Sequence, residues 1–168
     1  MIRSSNDMAR NRPRTTSDDD ITIVATRGLV RLSRQVEIKL SEFQLSVSQF
    51  RVLDRLYGGS AAGRSLAEWL AVKPPSITAL VDGLVSRGLV RRTGDPTDRR
   101  RVTHELTSEG RALHAEALSA LAARLSHLHS FVADEVDDAI EVLATWNQAI
   151  EMAREAKQLT LEDEGNPK

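Results

Sequence analysis

Basic side chains surround a short run of small and hydroxyl-bearing residues in the middle of the sequence. The run is PPSITA at 74–79. Serine and threonine hydroxyls can hydrogen-bond to base edges or phosphates, and small apolar groups can contact thymine methyls. The surrounding cations can attract a polyanion from a distance. This pattern favours contact with double-stranded DNA, and the candidate contacts are Lys73, Pro75, Ser76, Thr78, Ala79, Arg87, Arg91, Arg92, Arg99, Arg100 and Arg101.

The net charge of −1 over 168 residues hides an uneven distribution of charge. Residues 64–104 contain eight basic and four acidic residues, net +4, and residues 1–63 are net +3. Residues 108–168 contain five basic and twelve acidic residues, net −7. Such a dipolar pattern orients a polyanion toward the positive part of the molecule. The alternative is scattered surface charge without a partner.

Catalytic and metal chemistry find no support in the sequence. The chain has no cysteine, which excludes disulfides, thiolate nucleophiles and cysteine-ligated zinc. Two of the four histidines, His127 and His129, are two residues apart on a predicted helix and point to different faces, so they do not form a metal site. Nucleotide-loop, serine-hydrolase and zinc-protease motifs are missing. We therefore predict no enzymatic activity, no cofactor and no metal.

Hydrophobic periodicity and capping signals predict the elements that must position the basic residues. The predicted order is helix, helix, short helix, helix, β-hairpin, helix, helix, which is the order of a winged helix-turn-helix with flanking helices. The fold class is therefore mainly α with a small β-hairpin wing. The predicted elements are a helix near 20–40, a helix from the Ser46–Gln49 capping box to Gly58-Gly59, a loop at 58–63, a short helix opened by a Ser65–Glu68 capping box and stopped by Pro74, a helix from Pro74 and Pro75 to Gly88, a hairpin of strands 89–94 and 100–107, a helix capped by Thr107 or Ser108 that reaches 132, and a helix 135–156.

The flanking helices carry more apolar positions than a small winged helix can cover, so two-fold self-association is expected. Intrachain core is the alternative. Candidate core or interface residues are Leu121, Leu125, Leu128, Ile140, Leu143 and Trp146. The predicted organisation is a disordered tail at 1–19, a dimerisation helix at 20–45, a winged helix-turn-helix domain at 46–107, dimerisation helices at 108–157 and an acidic tail at 158–168.

The N-terminal 20 residues lack the apolar run of a secretory signal. No stretch reaches the roughly 18–20 apolar residues of a membrane span. We therefore expect a soluble, cytoplasmic protein without a membrane partner.

The run from Ser65 to Leu113 resembles the core of the MarR family of bacterial transcription regulators. Asp98, Arg99 and Arg100 match its D-R-R wing motif, and Leu106, Thr107 and Gly110 match L-T-x-x-G at the next helix. The resemblance implies a homodimer that binds a pseudo-palindromic operator, often as a repressor released by a small aromatic ligand. It also implies that Asp98 holds a wing arginine, while Arg99 or Arg100 reaches the minor groove or a phosphate.

This sequence departs from the family at Ala79, where a basic residue is common, and at Gly83, where a larger polar residue is common. Direct readout by the helix is therefore expected to be weaker. Ligand control would act by changing the spacing of the two winged lobes. Candidate effector contacts are Arg27, Phe43, Phe50 and His114, with plain packing as the alternative. A winged-helix protein-interaction module and a metal-responsive regulator are the alternative functions.

Overall fold

The computed structural model describes residues 18–94, 102–132 and 138–164. The chain divides into two compact units, the first ending at Leu118 and the second beginning at Ser119. The mainly helical fold class with a small antiparallel sheet is confirmed. The elements are α1 (Asp18–Ser41), α2 (Val47–Tyr57), β1 (Ala61–Ala62), α3 (Gly63–Leu70), α4 (Pro74–Ser86), β2 (Val90–Gly94), β3 (Val102–Leu106), α5 (Ser108–His129) and α6 (Ala139–Glu164).

The core of the first unit is aliphatic and is built mainly from α2, α3 and α4. Its fully buried side chains include Leu40, Val52, Leu53, Leu56, Leu66 and Leu84. Helix α4 contributes Ile77, Val81 and Leu84, which recur at the three- and four-residue spacing of one helix face. Because this face is buried, the opposite face of α4 is left exposed.

The two predicted capping boxes have different outcomes. The box at the start of α2 is confirmed, since the Ser46 hydroxyl accepts from the Gln49 N–H and the Gln49 side chain accepts from the Ser46 N–H. The Ser65–Glu68 box is wrong, because α3 begins at Gly63 directly after β1. Glu68 instead accepts a hydrogen bond from Arg64 at 2.8 Å.

A three-stranded antiparallel sheet has the order β1-β3-β2. The predicted hairpin is confirmed in its two strands, with Val90 opposite Leu106 and Gly94 opposite Val102. The loop prediction is wrong at Ala61–Ala62, which pair with β3. Two alanines offer no alternation of polar and apolar residues, so the sequence carries no strand signal there. The predicted hairpin turn lies outside the described residues.

The start of α5 packs directly on the start of the wing. Thr107 caps the helix, since its hydroxyl accepts from the Gly110 N–H at 3.0 Å and donates to the Gly88 carbonyl at 2.7 Å. The Thr107 N–H also donates to the Leu89 carbonyl. A Cβ at Gly110 would lie 2.0 Å from that same carbonyl oxygen. The sequence T-x-x-G therefore supplies both the cap and the space that this junction requires.

The second unit consists of the rest of α5 and α6. Helix α5 ends at His129, three residues before the predicted end, and α6 extends to Glu164, beyond the predicted 156. Asp134 and Glu135, the predicted start of the last helix, lie outside the described residues. Apolar side chains are exposed along α6, including Val142, Trp146, Ile150 and Met152. Within the described ranges, no helix is long and apolar enough to cross a membrane.

We expect Gly110→Ala to destabilise the protein by about 3 kcal/mol or more, because a methyl group there collides with backbone rather than with a movable side chain. Urea unfolding followed by circular dichroism measures the change. Gly28→Ala is the matched control, since Gly28 lies within α1 and has no atom within 4 Å of its added Cβ. That variant should be unchanged or more stable by up to about 1 kcal/mol. Equal stability of Gly110→Ala and wild type would contradict the packing at Leu89.

Candidate nucleic-acid interface

Helices α3 and α4 are joined by a tight turn that leaves the start of α4 in the open. Ala71 ends α3 in a left-handed conformation with φ of 56° and ψ of 45°, and the Val72 N–H closes back onto the Ala67 carbonyl. The helix thus ends before Pro74, which was predicted to stop it. Pro74 and Pro75 instead open α4, as predicted, where a missing N–H costs no helix bond.

The predicted contacts on α4 form one exposed surface at its N-terminal turns. Pro75, Ser76, Thr78 and Ala79 are all exposed, and so is Lys73 immediately before the helix. The Thr78 hydroxyl donates to the Pro74 carbonyl at 3.1 Å, which leaves its lone pairs available as acceptors. These residues form a small, polar surface that can approach base edges closely.

Arginines of β2 lie beside this surface and are paired with acidic residues. Arg91 donates to Glu105 of β3 at 2.8 Å, and Arg92 forms an ion pair with Asp82 of α4. The guanidinium of Arg91 and the hydroxyl of Thr93 lower the pKa of Glu105, so this carboxylate stays ionised. Both arginine side chains are still about half exposed or more, at 65% and 48%.

Asp82 is the residue of this surface that sequence reasoning missed. It lies four residues after Thr78 and therefore on the same exposed face of α4. That spacing was a usable signal. Its carboxylate holds Arg92 of the wing against α4, so the wing stem and the helix are joined by an ion pair.

Arg87 was predicted as a DNA contact, and the structure places its guanidinium on a turn of the backbone. Its two terminal nitrogens donate to the carbonyls of Gln44 at 2.6 Å and Phe43 at 3.1 Å. Asp98, Arg99, Arg100 and Arg101 lie outside the described residues. The part of the predicted contact set that the structure brings together is therefore the start of α4 and the stem of the wing.

His104 is buried at the base of the wing and is 8% exposed. Its Nδ1 lies 3.3 Å from the Ala61 carbonyl oxygen, and because a carbonyl only accepts, this nitrogen is the donor. Burial lowers the pKa of His104 below its ordinary value of 6.5, and the nearby Arg92 lowers it further. His104 therefore acts as a neutral group that links β3 to β1.

Two of the four predicted effector contacts lie together. The His114 ring is stacked between Phe50 and Tyr57, with ring centroids 5.3 and 4.8 Å apart, and its Nε2 lies 2.9 Å from Asp54 Oδ1. Phe43 lies on the turn that Arg87 contacts, and Arg27 lies on the exposed surface of α1. Among the residues that the structure describes, no three His, Asp or Glu side chains form a metal-binding group.

Comparison with known proteins gives matches on both sequence and fold. A family model described as the MarR family matches residues 43–101. The HTH-type transcriptional repressor MdtR of Bacillus subtilis is 34% identical over 77 residues, covering 46% of this chain and 50% of MdtR. The HTH-type transcriptional regulator Mb0904 of Mycobacterium bovis is 30% identical over 132 residues, covering 76% of this chain and 92% of Mb0904. The chain spans 61% of the length of a further Bacillus subtilis relative.

A solved structure agrees with these matches. The crystal structure of a MarR-family transcriptional regulator from Rhodococcus sp. RHA1 superposes with a TM-score of 0.65 at 28% identity. The superposition covers 81% of this chain and 95% of the Rhodococcus chain. The matched proteins are transcription regulators and not enzymes.

We expect His104 to make stability dependent on pH. The unfolded chain binds the proton more readily than the folded chain, because folding lowers the pKa of His104. Stability from the neutral imidazole is present above about pH 6.5 and decreases as pH falls toward the folded pKa, by about 1.4 kcal/mol for each unit of difference. Urea unfolding between about pH 8 and pH 5.5 should show a smaller decrease for His104→Gln than for wild type. Identical pH dependence of the two proteins would contradict this role.

Proposed function

Because the chain belongs to the MarR family of winged-helix transcription regulators, we propose that it binds a pseudo-palindromic operator in double-stranded DNA as a homodimer. We further propose that it represses transcription and that a small, aromatic effector releases it. A single observation carries the DNA-binding part. The start of α4 presents small polar side chains to the outside, directly beside a wing stem that carries two exposed arginines.

In this proposal α4 is the recognition helix and enters the major groove with its first turns. Ser76 and Thr78 hydrogen-bond to base edges or phosphates, while Pro75 and Ala79 contact thymine methyls. Lys73, Arg91 and Arg92 lie at the flanks and contact the backbone. From the family resemblance, Asp98 orients the wing, and Arg99, Arg100 or Arg101 reaches the minor groove or a phosphate.

Homodimerisation is supported by the apolar side chains that α1 and α6 expose. Val24 of α1 is 63% exposed, and Trp146 and Met152 of α6 are 65% and 69% exposed. Patches of this kind on long helices favour burial against a partner, and a second copy is the commonest partner. A dimer presents two recognition helices, which match successive major grooves when they lie about 34 Å apart. We propose that residues 20–45 and 108–157 form the dimer and that residues 46–107 form the DNA-binding domain.

Repression and effector release are the finer part of the proposal. The name of the relative MdtR and the family resemblance support the assignment as a repressor. Phe50 and His114 are the effector contacts we favour, because they stack on one another between α2 and α5. An effector that binds one spacing of the lobes more tightly would shift the population away from the DNA-bound spacing. The proposed place of action is the cytoplasm, where bacterial DNA is located.

We expect DNA binding that depends steeply on salt. A duplex enriched by the wild-type protein from a random-sequence pool should lose about 10³–10⁵-fold in affinity between 50 and 200 mM salt, if the dimer makes 6–10 phosphate contacts. Fluorescence anisotropy measures this. Arg100→Ala should weaken binding, and Lys73→Ala should reduce the slope of log K against log salt by about 2, since a dimer loses two contacts.

Arg34→Ala is the matched control for these variants, because it removes the same charge from an exposed position on α1. It should bind with the affinity and salt slope of wild type. Failure of the wild-type protein to enrich any duplex, or equal and weak binding by wild type and Arg100→Ala, would contradict DNA recognition and favour the protein-interaction module.

We expect the protein to sediment as a dimer at micromolar concentration. Trp146→Glu should weaken the dimer at least about tenfold, because a charge would have to be buried where an indole packs. Gln148→Glu is the matched control, since it adds the same charge to an exposed position of the same helix. Sedimentation of the wild-type protein as a monomer, or equal dissociation of the two variants, would contradict an interface at Trp146.

A further inference from the structure

We propose that Arg87 is a positioning residue that ties the end of α4 to the turn between α1 and α2, rather than a contact to DNA phosphate. We call this pair of hydrogen bonds the Arg87 tether. Its existence as a mechanical link rests on the contacts of Arg87 alone. Its effect on DNA recognition rests on the proposed function.

The tether consists of two hydrogen bonds from one guanidinium group. Arg87 is the C-cap residue of α4, and its side chain turns away from that helix to the carbonyls of Phe43 and Gln44, 3.1 and 2.6 Å away. These carbonyls belong to neighbouring residues that lie more than 40 positions earlier in the chain. A planar guanidinium can serve two such acceptors at once, whereas the point-like ammonium of lysine cannot reproduce this geometry.

The turn that receives the tether is well suited to bind a cation. It follows the last residue of α1, where helix carbonyls lack intrahelical partners and the helix dipole is negative. Gln44 adopts a left-handed conformation with φ of 55°, and its N–H donates back to the Ser41 carbonyl. Leu40 and Leu45, on either side of the turn, are buried. The turn is therefore fixed in the core, and Arg87 binds its free carbonyls.

A phosphate contact by Arg87 would compete with these bonds. Hydrogen bonds from a charged donor are stronger than those between neutral groups, so exchanging them for a phosphate offers little net gain. Without the tether, the C-terminal end of α4 would lose its link to α1. In a dimer, any change in the direction of α4 alters the match between two half-sites. The tether thus contributes to specificity by geometry and not by charge.

Hydrogen exchange of the free protein tests the tether without DNA. Arg87→Lys and Arg87→Ala should each increase exchange of the Gln44 and Leu45 amides by about tenfold or more, because the turn that holds them is released. Arg34→Lys is the matched control, since it makes the same replacement at an exposed position of α1, and it should leave these amides unchanged. Wild-type exchange rates at these two amides in Arg87→Lys would overturn the tether.

DNA binding then separates positioning from phosphate contact. On the duplex enriched by wild type, both Arg87 variants should bind more weakly while keeping the wild-type salt slope. They should also discriminate less between that duplex and one with a base pair inserted between its half-sites, which a loss of folding stability alone would not produce. Wild-type affinity of Arg87→Lys, together with a slope reduced by about 2 in Arg87→Ala, would overturn the proposal in favour of a phosphate contact. If wild type enriches no duplex, the proposed function fails, and the exchange rates still decide the tether.

Discussion

The close approach of the Leu89 carbonyl to Gly110 is the constraint on which the DNA-binding lobe depends. At this junction the residues after α4, the first wing strand, the second wing strand and the start of α5 all meet within a few residues of one another. The Thr107 hydroxyl joins them, because it caps α5 and at the same time donates to the Gly88 carbonyl. A side chain at Gly110 would separate these elements. The direction of the wing relative to α4 is therefore fixed by backbone packing, before any charged residue contributes.

Charge compensation is the second constraint on the same surface. Helix α4 contains no lysine or arginine between Pro74 and Ser86, and its exposed face includes the carboxylate of Asp82. An unpaired carboxylate facing DNA would repel the phosphates, and the ion pair with Arg92 reduces that repulsion. The same pair joins the wing stem to the helix. The local charge at the start of the helix is thus close to balanced, which makes small polar side chains and shape more important there than bulk attraction.

Much of the fold follows from local sequence signals, and the exceptions have physical reasons. Proline placement, the Ser46 capping box and hydrophobic spacing were sufficient for α2, α4 and both wing strands. Strand β1 could not be predicted, because Ala61–Ala62 form a strand only through pairing with β3. The α3 terminus was also missed, since Ala71 adopts a left-handed conformation that alanine does not signal. At the interface, the exposed residues of α4 were predictable from helical period. The partners of Arg87 and Arg92 were not, because they are set by tertiary contacts distant in sequence.

These contacts imply that recognition is controlled from both ends of α4. Its first turn follows the tight Ala71 turn, and its last residue precedes Arg87, whose guanidinium rests on the end of α1. A helix held at both ends cannot change its direction independently of the elements that hold it. Since the net charge of the whole chain is only −1, non-specific attraction to DNA is modest, and tight binding requires both lobes of a dimer to fit at once. A small displacement of α1 is then sufficient to lower affinity, because the turn after α1 is where the recognition helix is anchored.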